Sequence, residues 1–153
     1  MIISLAGCNQ KNPTIMKIGE ATYQFSGDVA AQDEKSLRYV IIRIGDTSTD
    51  HIARSSFTLE YDQWTNSEKM EGGFPNVRGV SNFPKLRNLR VIDRPWGRVV
   101  CNRLELKDDS NDLCGTTFLE FGAVWQVKFK FDKLKENRDI VSEARLVLRK
   151  FRI

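Results

Sequence analysis

From Val124 to Phe131 the chain alternates without a break. Trp125, Val127, Phe129 and Phe131 are large and apolar, and Gln126, Lys128 and Lys130 between them are polar. A period of two fits a strand, whose successive side chains point to opposite faces, and does not fit a helix. The segment therefore requires a sheet with one apolar face, and another layer must cover that face. Phe57, Leu59 and Tyr61 alternate with Thr58 and Glu60 in the same way and predict a second one-sided strand.

The remaining segments fill in the sheet. Met16 to Phe25 shows two short alternating pieces around Gly19-Glu20, with Ala21, Tyr23 and Phe25 on one face. This predicts a small hairpin or a bent first strand. Residues 26–35 are polar with alanines and predict one helical turn. Leu37 to Ile44 holds Val40, Ile41 and Ile42 in succession, which predicts a central strand buried on both faces. Leu89 to Ile92 predicts a short strand, and Asp93-Arg94-Pro95-Trp96-Gly97 is turn chemistry. Arg98 to Leu106 predicts the next strand, Lys107 to Asp112 a polar loop, and Thr116 to Phe121 the returning strand. Asp132 is expected to N-cap a helix beginning at Lys133. Ile140, Val141, Ala144, Val147, Leu148 and Phe151 then fall on one helical stripe. Arg145, Arg149, Lys150 and Arg152 crowd the last turns, where cations suit the helix dipole, a sufficient structural cause for the basic end. The expected architecture is α+β: a mainly antiparallel sheet of six or seven strands with one C-terminal helix packed on it, within a single globular domain over residues 16–153.

Residues 62–85 follow no period. They contain Gly72-Gly73, Pro75, Gly79 and Pro84, and also Trp64, Phe74 and Phe83. An irregular stretch of this length in a compact domain is uncommon unless it is functional or disordered. Trp64 and Phe74 are accordingly the candidate anchors for a partner, since interface hot spots are enriched in Trp, Tyr and Arg. The competing expectation is a loop folded over the sheet edge with these aromatics as satellite core.

Composition narrows the function classes. The 153 residues suffice for one domain with a real core. Net charge is +4 with the two signs mixed along the chain; nucleic-acid binders usually gather Lys and Arg on one face, so no nucleic-acid partner is expected. The single histidine, His51, lies in a polar stretch and gives no base for a hydrolase triad. There is no G-x-S-x-G and no phosphate-cradling glycine loop. Asp108, Asp109 and Asp112 lack the spacing, the glycine and the terminal glutamate of a calcium loop. No CxxC pair suggests zinc. No catalytic, cofactor-binding or metal-ligating residue is assigned, and no enzyme activity, cofactor or small-molecule substrate is expected.

The N-terminus carries the one recognisable motif. Leu5-Ala6-Gly7-Cys8, behind the apolar Ile2-Ile3, resembles the lipobox of bacterial lipoproteins. The resemblance covers these four residues and implies that Cys8 carries a diacylglyceryl group and becomes the anchored N-terminus. Residues 1–8 hold no Lys or Arg and are shorter than a full secretory signal, so they are expected to be a truncated or residual one. Asn9-Gln10-Lys11-Asn12-Pro13 then reads as part of a tether over residues 9–15. In this family Asp after the cysteine favours retention at the inner membrane; Asn9 here implies the periplasmic face of the outer membrane of a Gram-negative cell.

The other two cysteines fit that expectation. If Cys8 takes a lipid, Cys101 and Cys114 are left as a pair that an oxidising periplasm could join. The ~14-residue loop so closed would contribute roughly 3 kcal/mol on the chain-entropy model. Two buried free thiols in a cytosolic protein are the alternative. A small lipobox-bearing α+β domain is similar to the periplasmic immunity lipoproteins paired with type VI secretion effectors. The resemblance implies a binding protein that neutralises a secreted toxin by occluding its active site, with a cognate toxin or envelope protein as partner. An assembly lipoprotein of the envelope, such as a pilotin or secretion-apparatus component, and a small cytosolic phage or plasmid protein are the alternatives.

Overall fold

The computed structural model describes residues 12–27, 29–44, 57–63, 89–102 and 112–153. Its elements in chain order are β1 (Thr14–Ile18), β2 (Ala21–Phe25), β3 (Ala30–Glu34), β4 (Leu37–Ile44), β5 (Phe57–Asp62), β6 (Leu89–Arg94), β7 (Gly97–Asn102), β8 (Leu113–Glu120), β9 (Ala123–Lys130), α1 (Asp132–Lys135) and α2 (Ile140–Phe151). Strands β3 to β9 form one seven-stranded sheet in the order β3-β4-β5-β9-β8-β7-β6. Two meanders thus meet where β5 pairs with β9, and every pairing is antiparallel. The fold is α+β with strands dominating.

Strands β1 and β2 form a separate hairpin, which shares one layer with α2 over a single face of the large sheet. Every second residue of the central strands points into that interface: Phe57, Leu59 and Tyr61 from β5, and Trp125, Val127 and Phe129 from β9. Trp125 lies at the centre. Its ring meets Tyr23 edge-on at 5.8 Å and Tyr61 at 5.5 Å, while Phe25 meets Phe151 of α2 at 5.5 Å. The helix contributes Ile140, Val141, Ala144 and Leu148, the buried part of the apolar stripe.

Two tight turns lock the layers together. Phe121-Gly122 joins β8 to β9 with both residues at positive φ, 46° and 76°, the backbone of a type I′ hairpin. Gly19, at φ 62°, turns β1 into β2 and comes up against the Phe121 carbonyl so closely that a Cβ would collide with it. The adjacent Glu20 N–H donates to the same carbonyl at 2.7 Å. The C-terminus closes the other side: the Ile153 N–H donates to the Thr22 carbonyl at 3.0 Å, which adds a short third rung to the hairpin.

Three local expectations fail, each for a tertiary reason. Residues 26–35 hold no helical turn among the described positions; Ala30–Glu34 is an edge strand. An edge strand with few apolar residues shows no period of its own, and β4 recruits it through the ladder and through Arg38, whose Nε donates to Asp33 Oδ1 at 2.6 Å across the pair. Strand β4 itself is buried on one face only, at Val40 and Ile42, because the large helix and the hairpin cover just one side of the sheet. Asp132 does not cap the long helix. Residues 132–135 make a single turn entered from Phe131 without a side-chain cap, and the long helix starts at Ile140. Its cap is Asp139, which accepts from the Ser142 N–H at 2.9 Å.

Candidate functional site

The alternation that builds the core leaves a second set of side chains on the outer face of the sheet, away from α2. Register brings together residues that are far apart in sequence. Ile41 opposes Ala30 and Glu60, and Glu60 opposes Gln126. Tyr39 opposes Asp62. On this wing lies a groove of about 400 Å3, lined by Ala30, Leu37, Tyr39, Ile41, Glu60 and Lys128 together with four neighbours from the same strands. Leu37, Val91, Leu113 and Leu119 are exposed and belong to the outward-pointing positions of their strands.

The electrostatics of the groove are locally neutral. Glu60 and Lys128 sit diagonally across β5 and β9 with Nζ 2.7 Å from Oε2, each side chain 22% exposed. Such a half-buried pair is held by geometry more than by net energy. Tyr61 and Arg38 alternate with these positions and turn to the covered face, where burial pushes the Tyr61 phenol above the ordinary range and the nearby Arg38 guanidinium partly offsets that. Arg38 is fixed twice over, by Asp33 and by the Lys17 carbonyl that its Nη2 donates to at 2.5 Å. A groove of this make-up can seat an aliphatic or aromatic side chain against Leu37, Tyr39 and Ile41 and offer a carboxylate and an ammonium at its rim.

Comparison with protein-family models, with curated proteins and with solved structures finds no match. The groove must therefore be read from its own chemistry.

The residues singled out in the sequence fare unevenly. Cys101 and Cys114 are directly opposed on β7 and β8, with Cα atoms 4.0 Å apart, and they form a disulfide with both side chains fully buried. Cys8, Trp64, Phe74 and His51 lie outside the described residues. The described chain leaves β5 at Gln63, one residue past Asp62 of the groove lining. Asp112 is buried, and its carbonyl accepts from the Phe131 N–H at 2.9 Å, so it belongs to the scaffold. Among the described residues no group of three or more His, Cys, Asp or Glu could hold a metal ion, and no helix is long and apolar enough to cross a membrane.

The groove escaped the sequence. Its lining comes from β3, β4, β5 and β9, two to four residues from each except β3. The only sequence signal was the run of polar positions alternating with the core, and that run looks the same whether it is a wetted surface or a site.

Proposed function

We propose that this protein is a lipid-anchored binding protein of the bacterial envelope that neutralises a secreted toxin by occluding its active site. The observation that carries the reading is the outer face of the sheet: a side-chain-sized groove with apolar walls and a charged rim, on a face that also presents Leu37, Val91, Leu113 and Leu119 to solvent. Exposed apolar side chains on the same sheet face as a groove suit contact with another macromolecule. A protein partner fits better than a small ligand, because the groove is a shallow part of a broad sheet surface. The cysteines support the location. Cys101 and Cys114 satisfy each other, which leaves Cys8 as the odd cysteine within a lipobox-like sequence.

The test is protection. The chain is expressed from its native locus in cells that also direct the product of the neighbouring gene to the periplasm, and growth is followed. Growth restored by the parent chain is the expected result. Ile41→Arg places a long cation in the groove and is expected to weaken toxin binding at least about thirtyfold, the equivalent of one hot-spot residue. Failure of the parent chain to protect would sink the immunity reading. Full protection by Ile41→Arg would move the contact off this face.

A further inference from the structure

The helix dipole accounts for cations near the end of α2; it does not account for the apolar side chains exposed among them. Residues 144–153 contain Arg145, Arg149, Lys150 and Arg152 and no Asp or Glu. Arg145 is committed inward, with Nη1 3.3 Å from the buried Glu120 carboxylate and its guanidinium over the Phe118 ring. Arg149 and Lys150 are exposed, and neither has an ion pair or hydrogen bond among the described residues. Arg152 lies over the half-exposed ring of Phe121, 4.6 Å from its centroid. Between and beside these cations stand Leu146 and Ile153, 56% and 67% exposed.

The same surface continues onto the hairpin. Ile153 donates its N–H to Thr22, Thr22 pairs with Lys17, and Lys17 and Ile15 both point outward from β1. Ile15 is itself 57% exposed. The end of the chain is thus two strand spacings from β1, about 10 Å. An acid that borders this surface is Glu20, at the hairpin turn beside Gly122. Glu143, one turn further back on the helix, is engaged by Arg138 at 2.7 Å.

We infer that this surface rests on an anionic phospholipid bilayer. Cations mixed with protruding Leu, Ile and Phe match the membrane interface, where ammonium and guanidinium groups reach the phosphates and the aliphatic groups enter the acyl boundary. The length of chain before the domain points the same way. Six residue steps lead from Cys8 to Thr14, the first residue of β1. Fully extended they span at most roughly 20 Å. A lipid on Cys8 holds the bilayer within that distance of the start of β1, the strand that bears Ile15 and Lys17. This argument rests on the anchored reading proposed above and deepens it. With α2 and the hairpin on the membrane, the groove on the opposite face of the sheet points into the periplasm, free for a partner.

The experiment uses the full chain carrying Cys8→Ser, so that no acyl group contributes. Its sedimentation with vesicles of mixed phosphatidylglycerol and phosphatidylcholine is compared with that on phosphatidylcholine alone. Binding to the anionic vesicles only, weakened by salt, is expected. Each cation near the surface is worth about 1 kcal/mol, roughly fivefold in partitioning, so Arg149→Gln/Lys150→Gln is expected to lower it about twenty-five-fold. Leu146→Gln should lower it as well. Arg43→Gln/Lys130→Gln, on the outer face of the sheet, removes the same charge and should leave binding close to the parent. Equal losses for the two double variants would reduce the effect to net charge and overturn the inference. Absence of anionic-vesicle binding would overturn it too, and capture of an acidic protein by this surface without vesicle binding would assign the patch to a protein instead. Palmitate labelling of the parent in its native host reads the anchor separately. Labelled Cys8 without vesicle binding sinks the patch and leaves the anchor; vesicle binding without labelling does the reverse.

Discussion

The two faces of β9 differ in what they ask of a side chain. Towards α2 the strand presents Trp125, Val127 and Phe129, all at most 2% exposed, with the Trp125 ring against those of Tyr23 and Tyr61. Away from α2 it presents Gln126, Lys128 and Lys130, where Lys128 meets Glu60 and shares the groove with Tyr39 and Ile41. The backbone is common to both and so is the hydrogen-bond ladder. What differs is the layer on top. A covered face makes volume the constraint, because a removed ring leaves a cavity. The uncovered face makes surface chemistry the constraint at its less buried positions, such as Lys128 and Lys130, where most substitutions change stability by less than about 0.5 kcal/mol. Gln126, between β5 and β8, is only 3% exposed. Stability and recognition can therefore be varied almost independently along one strand.

The largest effect should come from the centre of the covered face. Trp125→Ala is expected to cost about 3–5 kcal/mol in chemical denaturation. Such a loss in a domain stabilised by only ~5–15 kcal/mol threatens folding at growth temperature. A cost under 1 kcal/mol would mean that the two layers are not tightly joined at this point.

The disulfide gives the next largest. It lies on the covered face at the far wing of the sheet and ties β7 to β8. Cys101→Ser/Cys114→Ser is expected to lower stability by roughly 3 kcal/mol, chiefly by freeing the unfolded chain. The parent should show the same drop in melting temperature when dithiothreitol is added, and the double variant should not respond to it.

Gly19 tests how the covering layer is fastened. Gly19→Ala puts a Cβ on a residue at φ 62° and drives it into the Phe121 carbonyl. A loss of about 1–3 kcal/mol is expected, in the range of other backbone strain. Native-state hydrogen exchange should show the β1–β2 hairpin loosening while β8 and β9 stay protected.

Tyr23→Phe should have the smallest effect at neutral pH, and its sign is informative. The Tyr23 hydroxyl is buried without a hydrogen-bond partner among the described residues, and burial, reinforced by Glu120, raises its pKa above the ordinary 10.0. Removing an unsatisfied hydroxyl removes a desolvation cost, so the variant should match the parent or exceed it by up to ~1 kcal/mol. A raised folded pKa means that the contribution is intact below pH 10 and is lost as the pH climbs towards the folded value. Tyr23→Phe should accordingly flatten the alkaline limb of the stability profile. Tyr61, raised for the same leading reason, should keep part of that limb in place.

Much of the covered face was legible in the sequence and little of the open one. The alternation in β5 and β9 and the helical stripe of α2 show which residues go inward, because burial selects apolar side chains at the period of the local structure. The edge strand β3 was not legible. Ala30 to Glu34 has no apolar period, since an edge strand is defined by its neighbour's ladder and not by its own side chains. The start of α2 was missed because Asp132 and Asp139 are equally good caps in sequence. Packing decides between them, and the helix begins where Ile140 can reach the core.

By itself the sequence determined the inward faces of β5, β9 and α2, the turn chemistry at Gly19 and at Asp93–Gly97, and the candidacy of Cys101 and Cys114 for one another. Those features are local, or depend on one residue type at a time. Only the tertiary structure decided that β5 pairs with β9, that β1 and β2 leave the main sheet to sit beside α2, and that Tyr39, Ile41, Glu60 and Lys128 share a groove. Strand order is a matter of long-range pairing, and many orders would bury the same alternating faces. The choice among them follows from how the covering layer fits, a property of the whole chain that no short window contains.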